Sequence, residues 1–260
     1  MVDRPVVVLT RQSRYLGNTA SILQTLEYQA VPVQTMQVKP RINDVVSDLF
    51  ANLDRYTDIV FVSRNAVEIG MSILQQSGSK IPPAVRVMTV GPETAKQLYK
   101  YEIDALFPAV GTGAEALLAV KQLADLSDRK IVIVRGTKGL EWPAEEMRKR
   151  GAQVDHVDVY THRMPDDAQD RMQDMLEAHK RIEGVFLHSA ESAENFMQLV
   201  SEHLERFADA TLVAGSQRIA DTAIAAGWTH RVRIAKTPSN KDMMIAFGGS
   251  HDNPAAGADS

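Results

Sequence analysis

Short apolar runs rich in valine and isoleucine alternate with longer amphipathic segments along almost the whole chain. The runs show little polar–apolar alternation, which is typical of strands buried on both faces. Strands that alternate with helices predict an α/β fold with mostly parallel sheets. The predicted strands are Pro5–Thr10, Ile59–Ser63, Arg86–Val90, Lys130–Val134, Val154–Tyr160, Gly184–His188 and Thr211–Ala214. The predicted helices are Leu16–Tyr28, Val45–Leu53, Ala66–Gln76, Thr94–Tyr101, Glu115–Leu123, Leu140–Arg150, Asp167–His179, Ala193–His203 and Ile219–Ala226.

The two halves of the sequence resemble each other at an offset of roughly 125 residues. The apolar run after Arg4 has a counterpart after Arg129, and the serine before a helix at Ser63 has a counterpart at Ser189. A repeat of this size predicts two similar domains rather than a solenoid, and the length of 260 residues allows two. With four or five strands, each domain would be a flavodoxin-like, doubly wound sheet.

The sequence lacks the residues that several kinds of chemistry need. It has no cysteine, which excludes disulfides, thiolate-bound zinc, iron–sulfur clusters and a thiol nucleophile. The seven histidines are scattered and form no His-Glu-x-x-His motif, so no metal site is expected. No dinucleotide or Walker loop is present, so no cofactor is expected. The stretch Gly111–Gly113 instead predicts a helix start capped by Thr112.

Charge and hydropathy limit the partners and the compartment. A net charge of −4 argues against a general nucleic-acid binder. The apolar runs are far shorter than the ~20 residues of a membrane span. The N-terminus lacks the layout of a signal peptide, so a cytoplasmic location is expected. The small, polar segment 249–260 predicts a disordered tail.

Ligands of doubly wound sheets bind beyond the carboxyl ends of the strands, where hydroxyl groups and two arginines fall in this sequence. For Ser63 and Ser189, each taken alone, the position directly before a helix favours an N-cap. Two such helix starts facing one cleft would instead favour a nest of N–H groups that binds a carboxylate or phosphate. Arg11 and Arg135 directly follow buried strands. Two interpretations fit each of them, an anion ligand or a solvated loop residue. Tyr160 ends a strand, which is typical of a half-buried residue with its hydroxyl at the rim.

An ordered series of short motifs extends over residues 4–247. It comprises Val7-Val-Leu-Thr10-Arg11, Val60-Phe-Val-Ser63-Arg-Asn65, Val90-Gly91-Pro-Glu-Thr94-Ala95, Arg135-Gly136 with Gly139-Leu-Glu141, Arg150-Gly151-Ala152, Val159-Tyr160-Thr-His-Arg163, the turn at Ser189, and the helix from Arg218-Ile-Ala220 to Gly227-Trp228. With this series the sequence resembles the uroporphyrinogen-III synthase family. It departs from the family at His188, where a threonine usually precedes the serine.

The resemblance implies two flavodoxin-like, doubly wound domains joined by a two-segment hinge, with the active-site cleft between them. The first domain would comprise residues 1–38 and 166–248, and the inserted second domain residues 39–165. The implied enzyme is a cofactor-independent lyase. It closes hydroxymethylbilane, a linear polycarboxylate tetrapyrrole, to uroporphyrinogen III with loss of water and with inversion of ring D through a spiro intermediate.

The resemblance also implies roles for individual residues. Tyr160 would assist departure of the hydroxyl group, because a phenol is protonated near neutral pH and can donate its proton. Substrate contacts would come from Thr10, Arg11, Ser63, Asn65, Gly91, Thr94, Arg135, Gly136, Ser189 and Ser216. Because the substrate is already reactive, the protein must chiefly position it, without a metal. A monomer is expected, with possible transient contact with the preceding enzyme of the pathway.

The residues alone leave other classes of protein open. A non-enzymatic two-lobed binding protein that closes around a small anion fits the duplication, the hinge and the missing catalytic motifs. A nucleotide-sugar transferase with two such domains needs a longer chain and a clearer nucleotide site. Incubation with hydroxymethylbilane distinguishes these classes, because the substrate left alone closes without inversion and gives the type I product.

Overall fold

The computed structural model describes residues 4–12 and 16–248. The described chain divides into two compact units. Unit 1 takes in the chain up to Gln37 and again from Arg163 onward, and unit 2 takes in Val38–His162. The tail predicted over residues 249–260 lies outside the described residues.

The described strands and helices alternate as the sequence predicts. The strands are β1 (Val6–Leu9), β2 (Gln29–Pro32), β3 (Gln37–Pro40), β4 (Asp58–Phe61), β5 (Arg86–Thr89), β6 (Lys130–Gly136), β7 (Gln153–Arg163), β8 (Ile182–Leu187), β9 (Thr211–Ala214) and β10 (Val232–Ile234). The helices are α1 (Thr19–Thr25), α2 (Asp44–Ala51), α3 (Arg64–Ser77), α4 (Pro92–Tyr99), α5 (Ala114–Leu118), α6 (Trp142–Lys149), α7 (Ala168–Ala178), α8 (Ala190–Val200), α9 (Gln217–Ala225) and α10 (Asn240–Gly248). The α/β class is therefore confirmed.

Each unit is built on a five-stranded sheet. In unit 1 the strand order is β10-β9-β8-β1-β2, and all neighbours in it run parallel. In unit 2 the order is β3-β7-β6-β4-β5, and the pairs β7–β6, β6–β4 and β4–β5 run parallel. Parallel strands place their carboxyl ends at one edge of the sheet. Each unit therefore has one edge where the turns into the helices collect.

The strands matched by the sequence repeat occupy equivalent places in the two sheets. Unit 1 contains the neighbours β2-β1-β8-β9, and unit 2 contains the neighbours β7-β6-β4-β5 in the corresponding order. The chain order differs, since β1 and β2 open unit 1 whereas their counterparts β6 and β7 close unit 2. The two units thus share a four-strand arrangement whose chain order is circularly permuted, whereas the fifth strand differs, since β10 lies beside β9 and β3 lies beside β7.

Both faces of each sheet are covered by apolar side chains. In β1, Val6 and Val8 belong to one buried cluster with Phe196 and Trp228, whereas Val7 and Leu9 belong to a second cluster with Phe186. Alternate residues of a strand point to opposite faces, so a strand between two helical layers must be apolar at every position. This burial explains the uninterrupted apolar runs of the sequence.

Three described strands lack such a run and were not predicted. β2, β3 and β10 each lie at the edge of their sheet, and their residues are partly or fully exposed. The short helix α10 was also not predicted. The cap predicted for α5 was wrong, because the helix begins after Gly113 and the Thr112 side chain does not cap it.

A buried carboxylate fixes the amino ends of the unit 2 strands. Asp58, at the start of β4, is fully buried and pairs with Arg86 and, at 2.7 Å, with Arg129. Burial alone would raise the pKa of Asp58, but hydrogen bonds from Arg129, Thr57 and Arg86 together lower that pKa. This ionic cluster lies at the end of the sheet opposite to the strand–helix turns, so its contribution is structural.

Candidate functional site

Four predicted site residues of unit 2 lie at the carboxyl edge of its sheet. Ser63 follows β4, Gly91 follows β5, Gly136 ends β6, and Tyr160 lies near the end of β7. Because β7, β6, β4 and β5 are neighbours in that order, their parallel ends bring these residues along one edge.

Ser63 caps helix α3 and contacts Tyr160. Its Oγ accepts a hydrogen bond from the backbone N–H of Ala66 at 3.1 Å, which confirms the N-cap interpretation. The same Oγ lies 3.0 Å from the Tyr160 hydroxyl, and either atom can donate. Asn65 lies in the first turn of α3 and is partly buried. The structure thus pairs a predicted binding residue with the predicted catalytic one.

The Tyr160 ring fits against a glycine on the neighbouring strand. Tyr160 is 7% exposed, and a Cβ added to Gly136 would lie 2.5 Å from its Cε2 atom. A register shift between Arg135 and Gly136 places Gly136 opposite Tyr160. Just beyond it, Thr137 donates its N–H to the Tyr160 carbonyl at 2.9 Å. Gly136 therefore provides the space that the ring occupies.

Arg135 points its guanidinium at protein groups. The side chain is 6% exposed, and Nε donates to Asp158 at 3.1 Å. Nη1 donates to the carbonyl of Leu140 at 3.1 Å, and Nη2 pairs with Glu141. The hydrogen bond from Arg135 lowers the pKa of Glu141. These contacts hold the loop between β6 and α6, and anion binding by Arg135 stays a prediction.

Gly91 and Thr94 form the start of helix α4. Gly91 is its N-cap residue, Pro92 is the first helical residue, and the Thr94 N–H bonds back to the Gly91 carbonyl at 3.2 Å. Thr94 is buried. A Cβ at Gly91 would lie 3.3 Å from the Thr112 side chain, so the following loop packs closely against this turn. Their contacts with a substrate stay predictions.

In unit 1, Thr10 belongs to a chain of buried hydroxyl groups. Its Oγ1 donates to the carbonyl of Phe186 at 2.6 Å and accepts from Ser192 Oγ at 3.0 Å. Ser192 Oγ in turn lies 2.9 Å from the hydroxyl of Thr35. The Thr10 hydroxyl thereby ties β1 to β8 and to helix α8, and a substrate contact at Thr10 stays a prediction.

Two further predicted serines begin helices of unit 1. Ser189 caps α8, because its Oγ accepts from the N–H of Ser192 at 3.1 Å, which confirms the cap interpretation there too. Ser216 occupies the N-cap position of α9, but its side chain makes no capping hydrogen bond. Both follow neighbouring parallel strands, β8 and β9, at one sheet edge.

A polar group at this edge comprises Arg11, His188 and Asn240, of which only Arg11 is a predicted site residue. Arg11 Nη1 lies 3.4 Å from the Oδ1 atom of Asn240, the first residue of α10. Both ring nitrogens of His188 are buried and lack a hydrogen bond of good geometry. Burial lowers the pKa of His188 to about 3, the Arg11 cation lowers it too, and the Asn240 side chain partly opposes them. Because α10 was not predicted, nothing in the sequence linked Asn240 to His188.

We expect His188 to make the stability of unit 1 depend on pH. Below about pH 6.5 the unfolded chain binds a proton at this histidine, whereas the folded chain does so only near pH 3. The contribution of His188 to the free energy of unfolding is therefore fully present above pH 6.5. It is lost as the pH drops toward 3, by up to about 1.4 kcal/mol per pH unit. Urea unfolding between pH 4.5 and 7 should show this slope in the wild type and a smaller one in His188→Gln. Equal slopes would contradict the assignment.

Two kinds of structural feature are absent from the described residues. No group of three or more metal-ligating side chains occurs within residues 4–12 and 16–248. Over the same ranges, no helix combines the length and the apolar character needed to cross a membrane.

Comparison with known proteins gives consistent relatives. The uroporphyrinogen-III synthase of Salmonella typhimurium is 26% identical over 92% of this chain and 94% of its own length. That of Escherichia coli is 23% identical over 93% and 99%. A mutant uroporphyrinogen III synthase from Thermus thermophilus has a similar fold, with a TM-score of 0.61, 14% identity and coverage of 94% and 97%. Uroporphyrinogen-III synthetase from Helicobacter pylori has a TM-score of 0.60, 16% identity and coverage of 93% and 96%.

Two largely parallel sheets, each with hydroxyl, amide and arginine groups beyond its strand ends, define a two-unit α/β protein. The family model described as Uroporphyrinogen-III synthase HemD matches residues 18–245. The chain belongs to the uroporphyrinogen-III synthase family. It is accordingly a lyase of porphyrin and haem biosynthesis that acts on a small-molecule substrate.

Proposed function

We propose that the chain closes hydroxymethylbilane to uroporphyrinogen III with Tyr160, at the carboxyl edge of the unit 2 sheet, as the proton donor to the leaving hydroxyl. The observation that carries this proposal is the 3.0 Å contact between the Tyr160 hydroxyl and Ser63 Oγ. The ring is held against Gly136, so the phenol has a defined position. A fixed donor is what general-acid assistance requires.

The chemistry needs one proton at one oxygen. The C–O bond of the hydroxymethyl group breaks, its electron pair goes to oxygen, and that oxygen takes the phenolic proton and leaves as water. The lone pair of the pyrrole nitrogen compensates the charge at the carbon. The methylene carbon so freed bonds to the substituted α-carbon of ring D and gives the spiro intermediate, and the original bond from that α-carbon to the adjacent methylene then breaks. That methylene bonds to the free α-carbon of ring D, whose proton is lost and reprotonates Tyr160. The reaction is balanced without a metal or cofactor, which we therefore do not invoke.

Carboxylates of the substrate are held, on this proposal, by backbone N–H groups at helix starts and by hydroxyl or cationic side chains. The proposed residues are Thr10, Arg11, Ser63, Asn65, Gly91, Thr94, Arg135, Gly136, Ser189 and Ser216. Support comes from the N-cap positions of Ser63, Gly91, Ser189 and Ser216. Because the net charge is −4, the attraction for a polycarboxylate must be local.

The same proposal includes the domain boundaries, the location, the oligomeric state and the partners of the protein. The domains would comprise residues 1–38 with 166–248, and 39–165, joined by a two-segment hinge. The protein would act as a cytoplasmic monomer that binds neither nucleic acid nor membranes and contacts the preceding pathway enzyme transiently. The net charge and the absence of a membrane-length helix among the described residues are in keeping with these features.

A product assay tests the function. The purified protein is incubated with hydroxymethylbilane, and the type I and type III products are separated and quantified over time. We expect the type III isomer to predominate and to form faster than spontaneous closure produces type I. Type I product alone, at the spontaneous rate, would overturn the proposal. Binding of hydroxymethylbilane without type III product would favour the alternative, a non-enzymatic binding protein.

A further inference from the structure

We infer that Ser63 is a positioning residue that turns the Tyr160 proton toward the substrate through the N-cap of helix α3. This inference rests on the proposed role of Tyr160. It goes beyond a binding role for Ser63, because it assigns the serine an action on the reaction through a second side chain.

The hydrogen bonds around Ser63 Oγ restrict where its own proton can go. A hydroxyl group has one proton and two lone pairs. The backbone N–H of Ala66 donates to one lone pair at 3.1 Å, and this capping bond leaves the proton unused. The Tyr160 hydroxyl lies 3.0 Å away on the same oxygen. Ser63 is therefore able to donate to Tyr160 while it continues to cap the helix.

The direction of the Ser63–Tyr160 bond decides whether Tyr160 can act. A phenol has a single proton, so a proton given to Ser63 is not available to the leaving hydroxyl. When Ser63 donates instead, the bonds run from Ala66 N–H to Ser63, from Ser63 to Tyr160, and from Tyr160 to the substrate. Successive hydrogen bonds of one direction strengthen one another. Once the phenolic proton has left with the water, the Ser63 hydroxyl still donates to the phenolate oxygen.

The fold fixes both ends of this arrangement. Ser63 has extended backbone angles at the junction of β4 and the 14-residue helix α3, whose amino end favours negative charge nearby. On the other side, Gly136 sets the position of the tyrosine ring. The matching Ser189 of unit 1 also caps its helix, but its Oγ has no tyrosine among its described hydrogen-bond partners. The pairing is thus a feature of the unit 2 edge.

Steady-state kinetics of four variants test the inference. The variants are Ser63→Ala, Ser63→Thr, Tyr160→Phe and the double variant Ser63→Ala/Tyr160→Phe. A hydrogen bond to a group that becomes charged predicts that Ser63→Ala lowers kcat about 10-fold, with little change in KM. The threonine variant, which keeps the hydroxyl, should retain most of the rate. In the Tyr160→Phe background, the additional Ser63→Ala change should have no further effect on kcat.

Asn43→Ala supplies the matched control. Asn43 caps helix α2 of the same unit by accepting the Val46 N–H at 3.0 Å, and it is not one of the proposed site residues. The Asn43→Ala variant should lose thermal stability as Ser63→Ala does, yet keep its kcat.

Three results would overturn the inference. They are a similar fall in kcat for Asn43→Ala, a threonine variant as slow as the alanine variant, or multiplicative losses in the double variant. If Tyr160→Phe slows the reaction but Ser63→Ala does not, the positioning role of Ser63 is wrong and the proposed role of Tyr160 stands. An unaffected Tyr160→Phe removes the tyrosine from the proposed function itself.

Discussion

Replacing Tyr160 with phenylalanine should lower kcat for uroporphyrinogen III formation by about 100-fold or more, because general-acid assistance contributes roughly 10²–10⁴-fold. Phenylalanine keeps the ring that packs against Gly136, so the fold and the substrate contacts should persist. The loss should therefore appear in kcat, and KM should change little. Part of the substrate will then close spontaneously, and the ratio of type I to type III product should rise.

The control for this prediction is a second tyrosine of unit 2. Tyr56 donates its hydroxyl to Asp155 at 2.9 Å, and it precedes β4 at the end of the sheet opposite to the candidate site. Tyr56→Phe also removes one phenolic hydrogen bond but should leave kcat and the isomer ratio unchanged. Both variants should be compared by circular dichroism and thermal unfolding. A Tyr160→Phe enzyme with the wild-type rate would exclude the phenol from the mechanism.

The fold could be predicted as far as burial on both sheet faces leaves a mark on the sequence. β1 was predictable because Val6–Leu9 faces two cores at once, so no polar residue interrupts the run. β2 was not, since Gln29–Pro32 forms a sheet edge where polar residues cost little. The repeat pointed to two related sheets, but the circular permutation depends on which strands pair across more than a hundred residues of chain.

The candidate site could be predicted where it depends on local rules. A serine directly before an amphipathic helix predicts a cap, and Ser63 and Ser189 both cap their helices. The contact between Gly136 and Tyr160 depends on a register shift within β6 and β7, for which the sequence carries no local signal. Likewise, the three acceptors that surround the Arg135 guanidinium depend on a loop conformation, so the sequence alone showed only a cation after a buried strand.

Substituting alanine for Gly136 should disable the enzyme nearly as strongly as removing the phenol. The new Cβ would lie 2.5 Å from Cε2 and 2.8 Å from Cζ of Tyr160, which is too close for any real contact. Since Tyr160 is buried, the ring must shift or the strands must separate, at a cost of about 1–3 kcal/mol in the free energy of unfolding. A ring displaced by about 1 Å would lose its contact with Ser63, and such a misplacement can lower the rate about 100-fold.

Gly70→Ala separates loss of stability from loss of geometry. Gly70 lies in the middle of α3 in the same unit, and a Cβ there would lie 2.9 Å from the ring of Phe61 and 3.2 Å from that of Phe50, with no atom of Tyr160 among its nearest neighbours. Urea unfolding should show both variants to be destabilised, whereas the product assay should show a loss of kcat only for Gly136→Ala. In the Tyr160→Phe background, Gly136→Ala should lower kcat far less than it does alone, because the phenolic hydroxyl that it would misplace is already absent. A Gly136→Ala enzyme that keeps the wild-type rate and isomer ratio would show that catalysis does not depend on where the strand pair β6–β7 holds the ring.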